Sequence, residues 1–113
     1  MTNTDESPAV REISSTDLKA MMDRGERFEL IDVRTPWERE IATITGSRLL
    51  DQAAYDSLIG MDAETPMVFC CHFGERSRAA AEHFRQQGFV NLCNVRDGID
   101  GWARMVDGSM ARY

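Results

Sequence analysis

Cys71 stands where an apolar segment meets a short glycine-containing loop, a place where a cysteine can act as a nucleophile. The segment from Val68 to Ser77 reads V-F-C-C-H-F-G-E-R-S, and a helical pattern begins at Arg76. The backbone N–H groups of such a loop, together with the positive end of the following helix dipole, favour an anion. Because the thiolate is the reactive form of cysteine, this position predicts covalent chemistry at Cys71.

The other two cysteines are interpreted as structural. Cys70 lies within the same apolar run and Cys93 lies within another, and a buried cysteine usually behaves as a small apolar residue. A disulfide between Cys70 and Cys71 is disfavoured, because neighbouring side chains on a strand point to opposite faces. The adjacent pair also lacks the spacing of zinc ligands, so no metal site is predicted.

Two charged or titratable residues of the loop have open roles. Arg76 supplies a fixed positive charge that can meet either an anionic substrate or a partner within the loop. His72 follows the cysteine directly and can either tune Cys71 or face solvent.

Strands and helices must alternate around this loop to position it. Four apolar runs predict strands at residues 28–33, 48–50, 67–71 and 92–95. Five further segments predict helices at residues 14–25, 37–41, 51–59, 76–87 and 98–106. This alternation predicts an α/β fold with a mainly parallel central sheet and helices on both faces. In such sheets ligands bind where strands end and helices begin, and Cys71 lies at one of these places.

The length of 113 residues accommodates one domain of ordinary size. We expect a flexible N-terminal tail at residues 1–9, the domain at 10–106 and a C-terminal tail at 107–113.

The net charge of -6 opposes binding to nucleic acid or anionic lipid. The N-terminal residues lack the basic start and apolar stretch of a targeting signal, and the longest apolar run, 67–71, is too short to span a membrane. The sequence therefore predicts a cytoplasmic protein whose thiols stay reduced.

Three sequence blocks occur together in the order found in a known family. Cys71–Ser77 fits the pattern C-x-x-G-x-R-S, and Asp32–Glu38 reads D-V-R-x-x-x-E. The third block joins Gly88-Phe89 to Val95–Trp102. Together they resemble the single-domain rhodaneses over about residues 10–106. The stretch 106–113 is similar, more weakly, to rhodaneses that occur fused to monothiol glutaredoxins.

Two positions depart from the pattern of that family. Residues 42–47 read A-T-I-T-G-S where many members have G-H-I-x-G-A, so a histidine is missing from a loop near the site. Asp97 precedes Gly98 where the family usually has two glycines. We therefore expect Asp97 to take up a backbone conformation that a glycine normally adopts.

The resemblance implies a sulfurtransferase with no cofactor. Cys71 would take the outer sulfur of a donor such as thiosulfate and hold it as a persulfide until a thiol or cyanide accepts it. The loop residues that would surround the persulfide are His72, Phe73, Gly74, Glu75, Arg76 and Ser77. The implied partners are a small anionic sulfur donor and a thiol acceptor, such as a protein of the glutaredoxin or thioredoxin system.

The resemblance leaves two roles open for Arg34. It can bind the sulfonate end of the donor together with Arg76, or it can pair with Asp32 to brace a second loop. We favour the pair of Asp32 and Arg34 as a structural brace, because a charged pair beside a strand end is more often structural.

Two other functions are compatible with parts of the pattern. Phosphatases of the cell-cycle dual-specificity type resemble rhodaneses in fold, but their loop has one residue more than the four between Cys71 and Arg76. The shorter ring suits a sulfur atom better than a tetrahedral phosphate. A noncatalytic sulfur carrier or protein-binding module stays open, because an intact Cys71 is compatible with both roles.

Overall fold

A five-stranded parallel sheet organises the part of the chain that the structure, a computed structural model, describes, residues 8–113. The elements in chain order are β1 Arg11–Ile13, α1 Ser15–Asp23, β2 Glu29–Asp32, α2 Pro36–Ile41, β3 Arg48–Leu49, α3 Gln52–Ile59, β4 Met67–Cys70, α4 Glu75–Gln86, β5 Leu92–Val95 and α5 Gly98–Met105. The strands lie side by side in the order β1-β5-β4-β2-β3, and every adjacent pair is parallel. The predicted α/β fold is therefore confirmed.

The predicted elements agree with the observed ones to within a few residues, but β1 was not predicted. This strand has three residues, two of them exposed, and it pairs only with β5 at the edge of the sheet. So short and polar a segment carries little hydrophobic pattern. Of the predicted tail at 1–9, residues 1–7 lie outside the described residues.

The central strands are buried on both faces and divide the core into two layers. On one face Leu30, Val68 and Cys70 pack with Trp102 of α5. On the other face Phe69 packs with side chains of α3 and α4. Successive residues of β4 thus enter opposite layers, as the twofold repeat of a strand requires. Cys70 and Cys93 both belong to the first layer, in agreement with their interpretation as structural residues.

The start of α5 packs against the loop that follows β4 and is hydrogen-bonded to it. The N–H of Ile99 donates to the carbonyl oxygen of Cys71 at 2.8 Å, and that of Asp100 donates to His72 at 3.2 Å. Gly98 permits this approach, because a Cβ there would lie 2.2 Å from the His72 carbonyl oxygen. Gly98 also has a φ of +61°, whereas Asp97 has an ordinary φ of −99°. The conformational demand expected at Asp97 therefore falls on Gly98 instead.

No helix within residues 8–113 has both the length and the apolar character that crossing a bilayer requires.

The substitution Gly98→Ala should lower the free energy of unfolding by roughly 2–4 kcal/mol, because alanine is strained at this φ and its Cβ meets the loop. Gly88→Ala is the matched control, since Gly88 also has a positive φ, +103°, but a Cβ there would meet nothing within 4 Å. Urea unfolding followed by circular dichroism measures both losses. Equal losses would contradict the close contact between α5 and the loop.

Candidate active site

Cys71 is the first residue after β4, and its side chain is fully buried beneath the loop. Its Sγ accepts hydrogen bonds from the backbone N–H of Gly74 at 3.1 Å and from that of Ser77 at 3.3 Å. The hydroxyl of Ser77 lies 3.3 Å from the same sulfur. Three of the residues predicted from the sequence, Cys71, Gly74 and Ser77, therefore meet at one sulfur atom.

The N-terminus of α4 directs its backbone N–H groups at the Cys71 sulfur, an arrangement that suits an anion. Gly74 precedes the helix with a φ of +103° and provides no side-chain cap. A Cβ at this position would lie 2.5 Å from the carbonyl oxygen of Arg96, so only glycine fits the turn. The Cys71 sulfur takes the place that a capping side chain usually occupies. The helix start is thus arranged to hold a thiolate or a persulfide anion.

The neighbouring thiol of Cys70 has a different environment. Its side chain lies in the first core layer with 5% of its surface exposed. Burial raises the pKa of the Cys70 thiol above its ordinary value, and the Asp32 carboxylate adds to that shift. Cys70 therefore stays neutral, which separates it from the thiol that faces the loop N–H groups.

Arg76 forms a two-pronged ion pair with Glu38 of α2. Its two terminal nitrogens lie 2.8 and 3.0 Å from the two oxygens of the Glu38 carboxylate. The hydrogen bonds from Arg76, supported by those from Tyr113 and Thr35, hold the pKa of Glu38 well below its usual range despite burial. The partner of Arg76 thus lies on α2, outside the loop to which the sequence-based alternative assigned it. Sequence reasoning missed Glu38 as a site residue, although it ends the D-V-R-x-x-x-E block.

Asp32 and Arg34 form a second ion pair, and both side chains are nearly inaccessible. Nε and Nη2 of Arg34 each lie 2.7 Å from an oxygen of Asp32. Arg34 also donates to the backbone carbonyl of Ala42 at 2.8 Å. Burial opposes the charge of Arg34, but hydrogen bonds to Asp32 and Tyr113 raise its pKa above the ordinary value. Such a buried, fully bonded fork has the geometry of a brace for the loops around it.

Tyr113 joins these parts from the far end of the chain. Its ring stacks on His72 with centroids 3.8 Å apart. Its hydroxyl donates to Glu38 at 2.7 Å and accepts from Arg34 at 2.9 Å. Burial raises the pKa of Tyr113 to about 12, so the hydroxyl keeps its proton at neutral pH. Sequence reasoning assigned 107–113 to a tail and missed Tyr113, because no periodicity or motif letter marks its contacts.

Of the remaining loop residues, His72 is partly buried, while Phe73 and Glu75 are exposed. His72 lies between the rings of Tyr113 and Phe73, with 3.9 Å between the centroids of His72 and Phe73. Phe73 is 52% exposed, and Glu75 is also exposed. The structure therefore places His72 in an aromatic stack, with Phe73 and Glu75 on the rim of the loop.

Comparison with known proteins supports one family. Residues 14–105 match the model of the rhodanese-like domain. The chain is 32% identical over 75 residues to "Thiosulfate sulfurtransferase GlpE" of Pseudomonas paraeruginosa, an alignment that covers 66% of this chain and 68% of that protein. It is 30% identical over 104 residues to "Probable adenylyltransferase/sulfurtransferase MoeZ" of Mycobacterium tuberculosis, covering 89% of this chain but only 26% of that longer relative.

Solved structures show the same fold. A rhodanese-like domain protein from Staphylococcus aureus superposes with a TM-score of 0.73 at 22% identity, covering 92% of this chain and 99% of that one. The human single-domain sulfurtransferase TSTD1 superposes with a TM-score of 0.72 at 22% identity, covering 86% of this chain and 98% of that one. The domain model matches most of the chain, and the loop around Cys71 has the expected sequence. The chain therefore belongs to the rhodanese-like domain family.

Proposed function

We propose that this chain is a sulfurtransferase that moves a sulfane sulfur from a donor such as thiosulfate to a thiol or cyanide. The observation that carries the proposal is the position of the Cys71 sulfur at the start of α4, within hydrogen-bond reach of two loop N–H groups. The relatives named as sulfurtransferases support the same class of reaction.

The reaction has two steps and needs no external oxidant. The Cys71 thiolate attacks the outer sulfur of thiosulfate, the sulfur–sulfur bond of the donor breaks, and its electron pair leaves on sulfite. An acceptor thiolate or cyanide then attacks the outer sulfur of the persulfide. The bond between the two sulfurs breaks, and the electron pair returns to Cys71 as a thiolate.

The backbone of the loop supplies the stabilising field in this proposal. The N–H groups of Gly74 and Ser77 already point at the cysteine sulfur. The N–H groups of the whole loop, residues 72–77, would surround the added sulfur. These dipoles are fixed by the fold and need no rearrangement when negative charge develops. The ring has four residues between Cys71 and Arg76, which suits a single sulfur atom.

Arg76 serves in this proposal mainly to hold the loop in shape. Both terminal nitrogens of its guanidinium are engaged by Glu38, so an incoming anionic donor meets an ion pair with little net charge. About half of the Arg76 side chain is exposed, and the donor passes beside it. Asp32 and Arg34 brace the neighbouring loop without contacting the donor in this proposal.

The proposed acceptor is a small thiol or a thiol protein of the glutaredoxin or thioredoxin kind, in a reducing cytoplasm. A thiolate is the nucleophile that a persulfide requires, and a reducing compartment keeps it available. A module that only carries sulfur to one partner is the alternative, and turnover with free cyanide separates it from an enzyme.

Wild-type protein incubated with thiosulfate should gain one sulfur atom, and Cys71→Ser should gain none, because the persulfide forms on that side chain. Intact-protein mass spectrometry measures the gain. Cys93→Ser is the control, since Cys93 is a buried core residue that should leave the gain unchanged. Sulfur carried by Cys71→Ser would contradict the assignment.

Turnover of thiosulfate with cyanide should exceed hydrolysis of an aryl phosphate by at least about a hundredfold, roughly 2.7 kcal/mol in activation free energy. The reason is that the loop encloses one sulfur atom and lacks room for a tetrahedral phosphate. Assays of thiocyanate and of the released phenol, on one preparation, give the ratio. Comparable rates for the two substrates would favour the phosphatase alternative.

The substitution Glu38→Gln should lower the free energy of unfolding at pH 7 by about 1–3 kcal/mol, because a charged hydrogen-bond acceptor for Arg76 is lost. The pKa of Glu38 is depressed in the folded protein, so its contribution is present above the unfolded glutamate pKa, roughly 4.3. It is lost as the pH falls below that value, and the two proteins should converge in stability. Urea titrations at several pH values test this, with Glu40→Gln as control because Glu40 is exposed. A stability difference that stays constant into acid would contradict the ionised pair.

A further inference from the structure

Asn94 of β5 contacts the Ser77 hydroxyl, and the hydrogen bonds of its amide allow only one orientation. Both Asn94 and Ser77 are fully buried. The Nδ2 group of Asn94 donates to the Glu12 carboxylate at 2.9 Å and to the Gly74 carbonyl oxygen at 3.1 Å. Neither acceptor has a proton to give, so reversing the amide would lose both bonds. Oδ1 of Asn94 must therefore face Ser77.

The contact between Asn94 and Ser77 determines where the hydroxyl proton lies. Oδ1 of Asn94 and Oγ of Ser77 are 2.5 Å apart. Two oxygens this close need a proton between them, and only the hydroxyl has one. With its proton on Asn94, Oγ presents a lone pair to the Cys71 sulfur 3.3 Å away. A neutral thiol can donate to that lone pair, whereas a thiolate is repelled by it.

We propose that Asn94 is a positioning residue that makes the Ser77 hydroxyl an acceptor for the Cys71 thiol and withholds it as a donor to the thiolate. The thiolate is then stabilised by the backbone N–H groups of Gly74 and Ser77 and not by the hydroxyl. This inference deepens the proposed function, since it concerns the same nucleophile.

Removal of the Asn94 amide should leave the loop in place. The Gly74 carbonyl oxygen also accepts from the N–H of Arg78 at 3.2 Å, and Glu12 also pairs with the Arg78 side chain at 3.2 Å. Both of these acceptors keep a partner when Asn94 is replaced. The Ser77 hydroxyl is the group that changes partner, because it becomes free to turn toward Cys71.

Other ionisable groups surround the loop and are the same in every variant compared. They are Cys70 on β4, His72 in the loop, Arg76 on α4 with Glu38 on α2, Glu12 on β1, Asp97 before α5, and Tyr113. None of them is substituted. Glu12 loses one hydrogen bond whenever Asn94 is replaced, with or without Ser77, so the difference between the two backgrounds reports the Ser77 hydroxyl.

The test is the rate of alkylation of Cys71 by iodoacetamide as a function of pH, followed on the Cys71 peptide by mass spectrometry. Asn94→Ala should move the midpoint of this profile down by about one pH unit, a tenfold gain in thiolate fraction, because the hydroxyl then donates to the anion. In a Ser77→Ala background the same substitution should move the midpoint by less than about 0.3 unit. Asn91→Ala is the matched control, because that amide contacts Arg11 at the exposed edge of the sheet.

The variant Ser77→Ala distinguishes the two directions of the hydrogen bond by itself. If the hydroxyl accepts from the thiol, its loss lowers the midpoint. An unchanged or raised midpoint in Ser77→Ala, or an unchanged midpoint in folded Asn94→Ala, would overturn the proposal. Asn94→Leu, which keeps the number and branching of the side-chain heavy atoms, replaces Asn94→Ala if circular dichroism shows that the latter is unfolded.

The readout does not depend on sulfur transfer. A shifted midpoint in protein that forms no persulfide would contradict the proposed function and leave this inference intact. An unshifted midpoint in protein that does form a persulfide would contradict this inference and leave the proposed function intact.

Discussion

The carboxylate of Glu38 is the contact on which the arrangement of the site depends. It lies in α2, is 6% exposed, and accepts hydrogen bonds from Arg76 of α4 and from the hydroxyl of Tyr113. It also receives the N–H of Thr35 at 3.0 Å, which closes the capping box of its own helix. One buried charge thus joins two helices and the C-terminal segment. A buried carboxylate of this kind is stable only when every partner is in place, so the parts are fixed together.

The loop that carries Cys71 is held from two further directions. Backbone N–H groups at the start of α5 bind the carbonyl oxygens of Cys71 and His72, while α4 provides the N–H groups that face the sulfur. The carbonyl groups of the loop therefore point toward α5, and the backbone N–H groups of Gly74 and Ser77 point toward the Cys71 sulfur. This orientation places the positive ends of the peptide dipoles where a persulfide would carry its charge, before any ligand binds. Preorganisation of this kind follows from the fold and from Gly74 and Gly98, where two segments of backbone lie too close together for a side chain.

The fold could be predicted from the sequence because its signals are local, whereas most of the contacts that shape the site are not. Apolar runs marked β2, β4 and β5, and the junction after β4 marked Cys71. The partners of Glu38 lie 38 and 75 positions away, and Asn94 lies 17 positions from Ser77. Local patterns carry no information on such pairs, since helical or strand periodicity relates only near neighbours. β1 escaped prediction for a related reason, because a three-residue edge strand is defined by its partner β5.

Two polar networks lie close to Cys71, and they affect this residue in different ways. The network of Glu38, Arg76 and Tyr113 holds the start of α4 in place, and the Arg76 charge also interacts with Cys71 electrostatically. The network of Glu12, Asn94 and Ser77 ends on the sulfur itself, and its hydroxyl proton lies between Ser77 and Asn94. Fixed backbone dipoles favour the anion, and a hydroxyl whose proton is held elsewhere favours the thiol. In the proposed persulfide the outer sulfur lies one bond beyond the Cys71 sulfur, so it would carry its charge among the N–H groups of the loop, while the hydroxyl contacts the inner sulfur. Resting and sulfur-loaded forms of the same side chain can therefore be stabilised independently by groups a few ångströms apart.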